Sequence, residues 1–222
     1  MSTAAADLRA AAPPARPEPV PVYRDDGPLA RAIGAAVRPL LGRHPAPLLL
    51  VLALVPVLAV AAFAGGDVSD PVAAVLVAWV VLVAGASSAA RPLARFRWSE
   101  PPLLRAIEYT ALIWIGALEG PEAYPAAFAL VAVLTFRHYD LVYRLRHRGV
   151  VPARWVSALG GGWDGRLVVA FALLVLGALP AAYFVAAAVL GAAFAGEAIY
   201  GWVGVGRVQR PLEYEDEEDE GQ

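Results

Sequence analysis

PAPLLLVLALVPVLAVAAFA, residues 45–64, runs twenty residues without one charged side chain. As an α-helix rising 1.5 Å per residue it reaches about 30 Å, enough to cross the hydrocarbon of a bilayer. The pattern returns at Pro71–Ala90, at a more polar Pro102–Leu118, and at Ala123–Phe136, Leu167–Leu179 and Ala181–Val203. The last two meet at Pro180, so Leu167–Val203 is either a hairpin of two spans or one long kinked helix, and its 37 residues favour two. The expectation is an all-α, polytopic membrane helical bundle of about six transmembrane helices.

Composition agrees. The chain is 59% hydrophobic and 17% charged with a mean hydropathy of +0.58, too apolar for a soluble domain of 222 residues. There is no cysteine, which closes disulfide, thiolate-nucleophile, thiolate-zinc and iron–sulfur chemistry. Every basic residue is arginine and alanine is abundant, a bias that points to a GC-rich genome and an actinobacterial source. The net charge of -2 conceals a polarity, because seven acids crowd the last ten residues and the remaining body is basic. Such a body suits anionic lipid headgroups on one face, and nucleic acid is not expected as a partner.

Four regions follow. Residues 1–22 form an Ala/Pro arm too poor in apolar surface to order itself. Residues 23–43 read as a short amphipathic interfacial helix before the first span, with Asp25 and Asp26 offering an N-cap acid, Pro28 opening the first turn, and Leu29, Ile33, Val37 and Leu40 on one stripe. Residues 44–206 hold the six spans, and residues 207–222 a disordered acidic tail. Along the sixth span Ala187, Gly191 and Ala195 recur at four-residue steps, a face that permits close helix approach.

Orientation comes from the arginines, which cytoplasmic loops retain. Six precede the first span, three lie between the second and third, six between the fourth and fifth, and two follow the last; the alternate loops hold none, but carry Asp67, Asp70, Glu119 and Glu122. This pattern predicts both termini in the cytoplasm and a multi-pass protein of the inner (plasma) membrane.

Ionisable residues inside spans are costly, about 2.5–3.5 kcal/mol each on insertion scales, and so mark candidate sites. Arg105, Glu108 and Tyr109 share a face of the third span, FRHYDLVYRLRHR ends the fourth, and Glu197 and Tyr200 sit near the inner end of the sixth. One reading is a cytoplasm-facing pocket for an anionic or lipid headgroup, with Arg105 and Arg137 as clamps and Glu108, Asp140 or Glu197 as base or metal ligands. The other pairs Arg105 with Glu108 and leaves the rest in the headgroup layer. Arg137, Arg144 and Arg148 form one helical stripe, Asp140 and Arg144 are an i, i+4 pair, and His138 and His147 read as interfacial hydrogen-bonders. Gly160-Gly161-Gly162-Trp163-Asp164-Gly165-Arg166 reads as a flexible connector anchored by Trp163, since it fits neither phosphate-loop pattern. No metal site is expected, and neither catalytic residues nor a cofactor can be named.

Two resemblances bear on function. Asp26-Gly27-Pro28-Leu29-Ala30-Arg31 resembles the opening of the CDP-alcohol phosphotransferase signature, Asp-Gly-x-x-Ala-Arg. The match stops there, because the later glycine and two aspartates of that signature are replaced by Leu40, His44 and Leu48, and the upstream acid by Tyr23. Its catalysis is therefore not carried over. The stretches RWSEPPLLRAIEY, TFRHYDLVYRLRHRG and GGWDGRL resemble an uncharacterised actinobacterial integral-membrane domain associated with CDP-alcohol phosphotransferase and nucleotidyltransferase modules. That resemblance covers most of residues 20–210. It implies those modules as partners beside membrane lipids, and an accessory, headgroup-binding role in phospholipid or inositol-lipid biosynthesis. The alternatives are a small membrane transporter or flippase, and a divergent phosphotransferase using Glu108, Asp140, Asp164 and Glu197.

Overall fold

Helix boundaries follow the proline and glycine punctuation of the sequence. The structure, a computed structural model, describes residues 24–41, 44–64, 68–90, 94–148 and 159–209. Among these the regular structure is helical: α1 Pro28–Leu41, α2 Ala46–Phe63, α3 Asp70–Ala86, α4 Glu100–Glu119, α5 Tyr124–Arg148, α6 Gly162–Val175 and α7 Leu179–Gln209. Short 3-10 turns at Ala94–Ser99 and Pro121–Ala123 lead into α4 and α5. The predicted arm at 1–22 and most of the acidic tail lie outside the described residues. The tail's first three residues, 207–209, continue α7.

The six predicted spans map in order onto α2 to α7, although Pro71–Ala90 runs four residues past the end of α3 and Leu167–Leu179 runs past the end of α6 to the first residue of α7. Three of these helices are long and apolar enough to cross a membrane: Ala46–Phe63, Pro121–Arg144, which includes the preceding turn, and Leu179–Val203. The expectation of six such spans is corrected on length and polarity. α6 has 14 residues, about 21 Å of rise, and α3 has 17. α4 is long enough, but Glu100, Arg105, Glu108 and Glu119 dilute it.

The choice between a hairpin and a kinked helix at Leu167–Val203 resolves at Gly177. Its φ of 64° is left-handed, the Gly177 N–H donates to Leu174 O, and the Ala178 N–H reaches back to Leu173 O. This pairing ends α6 in a Schellman motif, and α7 starts afresh at Leu179 with Pro180 in its first turn.

α4 is the hub of the bundle, touching α2, α3, α5, α6 and α7, and the most extensive pairing is α5 with α7. The small-residue face of α7 contributes to that pairing, since a side chain at Gly191 would press on Val133 of α5. Leu50, Ile107, Leu112, Ile115, Trp163 and Phe194 are buried in the core.

α1 packs on the bundle through a narrow face of small residues. Ala30 and Gly34 are buried against the end of α3, where Ser88 Oγ donates to Ala30 O at 3.1 Å and a Cβ on Gly34 would strike Ser88. Arg31, Arg38 and Leu40 stay exposed. The carboxylate at its amino end differs from expectation. Asp164, at the start of α6, accepts hydrogen bonds from the N–H groups of Gly27, Leu29 and Ala30 at 2.6, 2.9 and 3.0 Å. A distant chain segment thus satisfies the donors that every helix start leaves open.

Candidate functional site

Two charged networks occupy the end of the bundle where α3 finishes, α4 and α6 begin, and α5 and α7 carry their polar residues. The first gathers around the segment before α1. Arg24 reaches Asp26 Oδ2 at 2.8 Å, Glu100 Oε2 at 2.9 Å and Ser87 Oγ at 2.8 Å, so one guanidinium joins the starts of α1 and α4 to the end of α3. Trp163 Nε1 donates to Asp26 Oδ1 at 2.9 Å. Arg166 donates to Glu108 Oε1 at 2.5 Å, Asp25 Oδ2 at 2.8 Å and Gly160 O at 2.6 Å, while Arg105 meets the other oxygen of Glu108 at 3.3 Å. Tyr109 Oη and His138 Nδ1 are 2.6 Å apart, and His138 Nε2 stands 3.6 Å from Asp25, a close polar contact slightly beyond a hydrogen bond.

Asp25 is the node of this network. Its φ of 55° is left-handed, a conformation that costs a non-glycine residue of order 1 kcal/mol or more and persists only where its surroundings hold it. Burial opposes its ionisation. Contact with His138 and the positive charges of Arg166 and Arg105 outweigh that burial and hold its carboxyl well below the usual carboxylate range.

Counted by charge, this network sets five carboxylates, Asp25, Asp26, Glu100, Glu108 and Asp164, against the three guanidiniums of Arg24, Arg105 and Arg166. Glu108 and Asp164 are fully buried, so their charges must be met inside the protein. Glu108 is met by two arginines, and Asp164 by the amino end of α1, whose dipole and free N–H groups favour an anion.

The second network lies between α5 and α7. Glu197 accepts from Arg137 at 2.6 Å and from both terminal nitrogens of Arg144 at 2.9 and 2.6 Å. Asp140 Oδ2 is 2.5 Å from Arg144 Nη2, the i, i+4 pair expected, but lies off the N–H axis and makes no hydrogen bond. Two guanidinium nitrogens here, Arg137 Nη2 and Arg144 Nε, are buried without an acceptor among the described residues. Arg137 also lies over the Phe194 ring, 5.1 Å from its centroid.

The expected pocket residues are therefore divided. Arg105 and Glu108 pair with each other in the first network, whereas Arg137, Asp140, Arg144 and Glu197 assemble in the second. Arg148 ends α5, with its side chain outside the described residues, as is that of His147. Tyr200 is exposed. The four acids invoked for a phosphotransferase do not converge: Asp164 faces the start of α1, Glu108 faces Arg166, and Asp140 and Glu197 face Arg144. Among the described residues no group of three metal-ligating side chains is placed to share an ion.

A family of unknown function, DUF5941, matches residues 20–218. The chain belongs to that family. No curated protein and no solved structure matches it. The DUF5941 match begins before Arg24 and ends beyond Glu197, so both networks fall within it. Of the first network's residues, the sequence places Arg24, Asp25, Asp26, Trp163 and Arg166 outside the expected pocket and marks neither Ser87 nor Glu100. The glycine-rich segment is no loose connector, since Trp163 and Asp164 are fully buried and a Cβ on Gly27 would collide with Asp164 and the Gly161 carbonyl. One signal was present: two adjacent aspartates, and an Asp-Gly-Arg after three glycines, are strongly polar strings beside otherwise apolar segments.

Proposed function

We propose that this DUF5941 protein is a multi-pass protein of the inner membrane, with α2 to α7 crossing the bilayer and both termini cytoplasmic, that binds anionic lipid headgroups at its arginine-bearing end. The observation that carries the reading is the pair of buried guanidinium nitrogens, Arg137 Nη2 and Arg144 Nε, that have no acceptor among the described residues. A buried donor without an acceptor costs roughly 1–3 kcal/mol, and phosphate oxygens are suitable acceptors for it. The one-sided arginine count supports the orientation. The three helices that fall short by length or polarity pack among the three that do not, which supports six crossings. In this reading the protein serves phospholipid or inositol-lipid assembly as an accessory module, beside a CDP-alcohol phosphotransferase or nucleotidyltransferase in an actinobacterial cell.

Native mass spectrometry of the detergent-purified protein tests the headgroup site. The wild type is expected to retain anionic lipid. Arg137→Gln with Arg144→Gln should lose it, and Glu197→Gln, which releases both arginines, should retain more. Absence of lipid from the wild type, or equal retention by all three proteins, overturns the reading. Because the chain lacks cysteine, Ser69→Cys and Ser99→Cys report topology directly. An impermeant maleimide added to intact cells should label the first and spare the second; the reverse pattern refutes the orientation.

A further inference from the structure

A groove of about 480 Å³ runs between α5, α6 and α7, separate from the second network. At one end lie Leu159, Gly160, Gly161, Gly165 and Arg166; the rest of the lining is mostly apolar and comes from α6 and α7, with Leu130 contributed by α5. From Gly165 to Leu173 the lining extends about 12 Å along the axis of α6. Val169, Val185 and Val189 are each more than half exposed, so the groove opens sideways rather than into the core. Two of its three walls, α5 and α7, contain segments long and apolar enough to span a membrane. A polar end joined to an apolar length is the polarity profile of one amphiphile lying parallel to the helices.

We propose that this groove seats one glycerophospholipid, its hydrocarbon chain along α6 and its phosphate at the Gly160–Arg166 end. The inference goes beyond the headgroup reading above and uses different residues. Arg166 spends three of its five N–H groups on Glu108, Asp25 and Gly160, and the two carboxylates offset its charge. The mouth thus offers hydrogen-bond donors and uncovered glycine backbone without net positive charge. The groove accordingly holds its occupant by apolar contact and hydrogen bonding, and takes zwitterionic and anionic lipids alike. Its polar end brings the headgroup beside the guanidinium that also holds Glu108 and Asp25, which makes it a lateral path from the bilayer to the first network.

The glycines provide the test. A Cβ at Gly165 meets nothing within 4 Å, so a side chain there starts into open space on the groove's lining. Gly196, equally open and outside the groove lining, is the control. The full-length protein is placed in phosphatidylcholine nanodiscs carrying a trace of phosphatidylcholine with a photoreactive group in its acyl chain, and crosslinked peptides are mapped. Wild type and Gly196→Trp should crosslink on α6 and α7, and Gly165→Trp should lose that crosslink. Gly165→Leu, with its melting curve recorded, guards against misfolding of the larger variant. Photoreactive phosphatidylglycerol should label the same peptides equally, and inorganic phosphate should not compete. Crosslinking that survives in Gly165→Trp, or that falls on α2 instead, overturns the groove. Arg137→Gln with Arg144→Gln should leave this crosslink unchanged, so failure of the headgroup reading and failure of the groove give different results.

Discussion

Replacing Asp164 with alanine should release the segment before α1 from the bundle. Asp164 is fully buried and accepts three backbone N–H groups, of which those of Gly27 and Ala30 are buried and that of Leu29 partly so. Each buried donor left without an acceptor costs roughly 1–3 kcal/mol. Water at the end of the bundle can serve Leu29, so two penalties at the low end, with the lost attraction of a carboxylate for a helix start, come to about 3 kcal/mol. That is more than a hundredfold in the docking equilibrium. Limited trypsin digestion in detergent, followed by mass spectrometry of peptides ending at Arg24 and Arg31, reads the undocking locally. Tryptophan fluorescence during heating reads any global loss. Cleavage at these arginines should accelerate by about that factor, and Asp164→Asn, which keeps one carbonyl acceptor, should fall between wild type and alanine. Cleavage of Asp164→Ala at the wild-type rate, with an unchanged melt, would refute the claim that this carboxylate anchors α1.

Two other outcomes follow from the same network. Asp25 has a folded pKa below its ordinary value of 3.8, so it contributes stability that is present above the unfolded value and is lost as pH falls through the folded one. Asp25→Asn should therefore flatten the acid limb of a melting-temperature profile below about pH 4, and an unaltered limb would exclude Asp25 as the titrating group. Gly27→Ala should lower the melting temperature, because its Cβ collides with Asp164, whereas Gly196→Ala, open on its own helix, should be neutral or gain up to about 1 kcal/mol. Equal melts for the two variants would contradict the close approach at Gly27.

The legible part of the site was the second network, where Arg137, Asp140 and Arg144 on α5 meet Glu197 on α7 as grouped from their polarity within apolar segments, and the pairs contained in single helices. Arg105 and Glu108 are three residues apart and Asp140 and Arg144 four, spacings that meet on any α-helix. Asp25 with Arg166 and Gly27 with Asp164 are 141 and 137 residues apart. Nothing local brings them together. The aspartate pair before Pro28 fits an ordinary N-cap well enough that periodicity alone assigned the wrong carboxylate to the start of α1.

The sequence by itself determined the helical character of the described residues, the placement of six apolar segments and the gathering of arginines and acids in alternate loops. Hydropathy and charge count are properties of short windows, and lipid leaves a backbone in such windows little choice but helix. Tertiary structure decided what the first apolar segment, residues 45–64, could not reveal: that only some of its companions share its length and apolarity, and that α1 is held by a carboxylate from the start of α6. It also divided the expected pocket in two. Buried charges are expensive, so each must find a partner, and which partner lies within reach is set by how helices distant in sequence pack together.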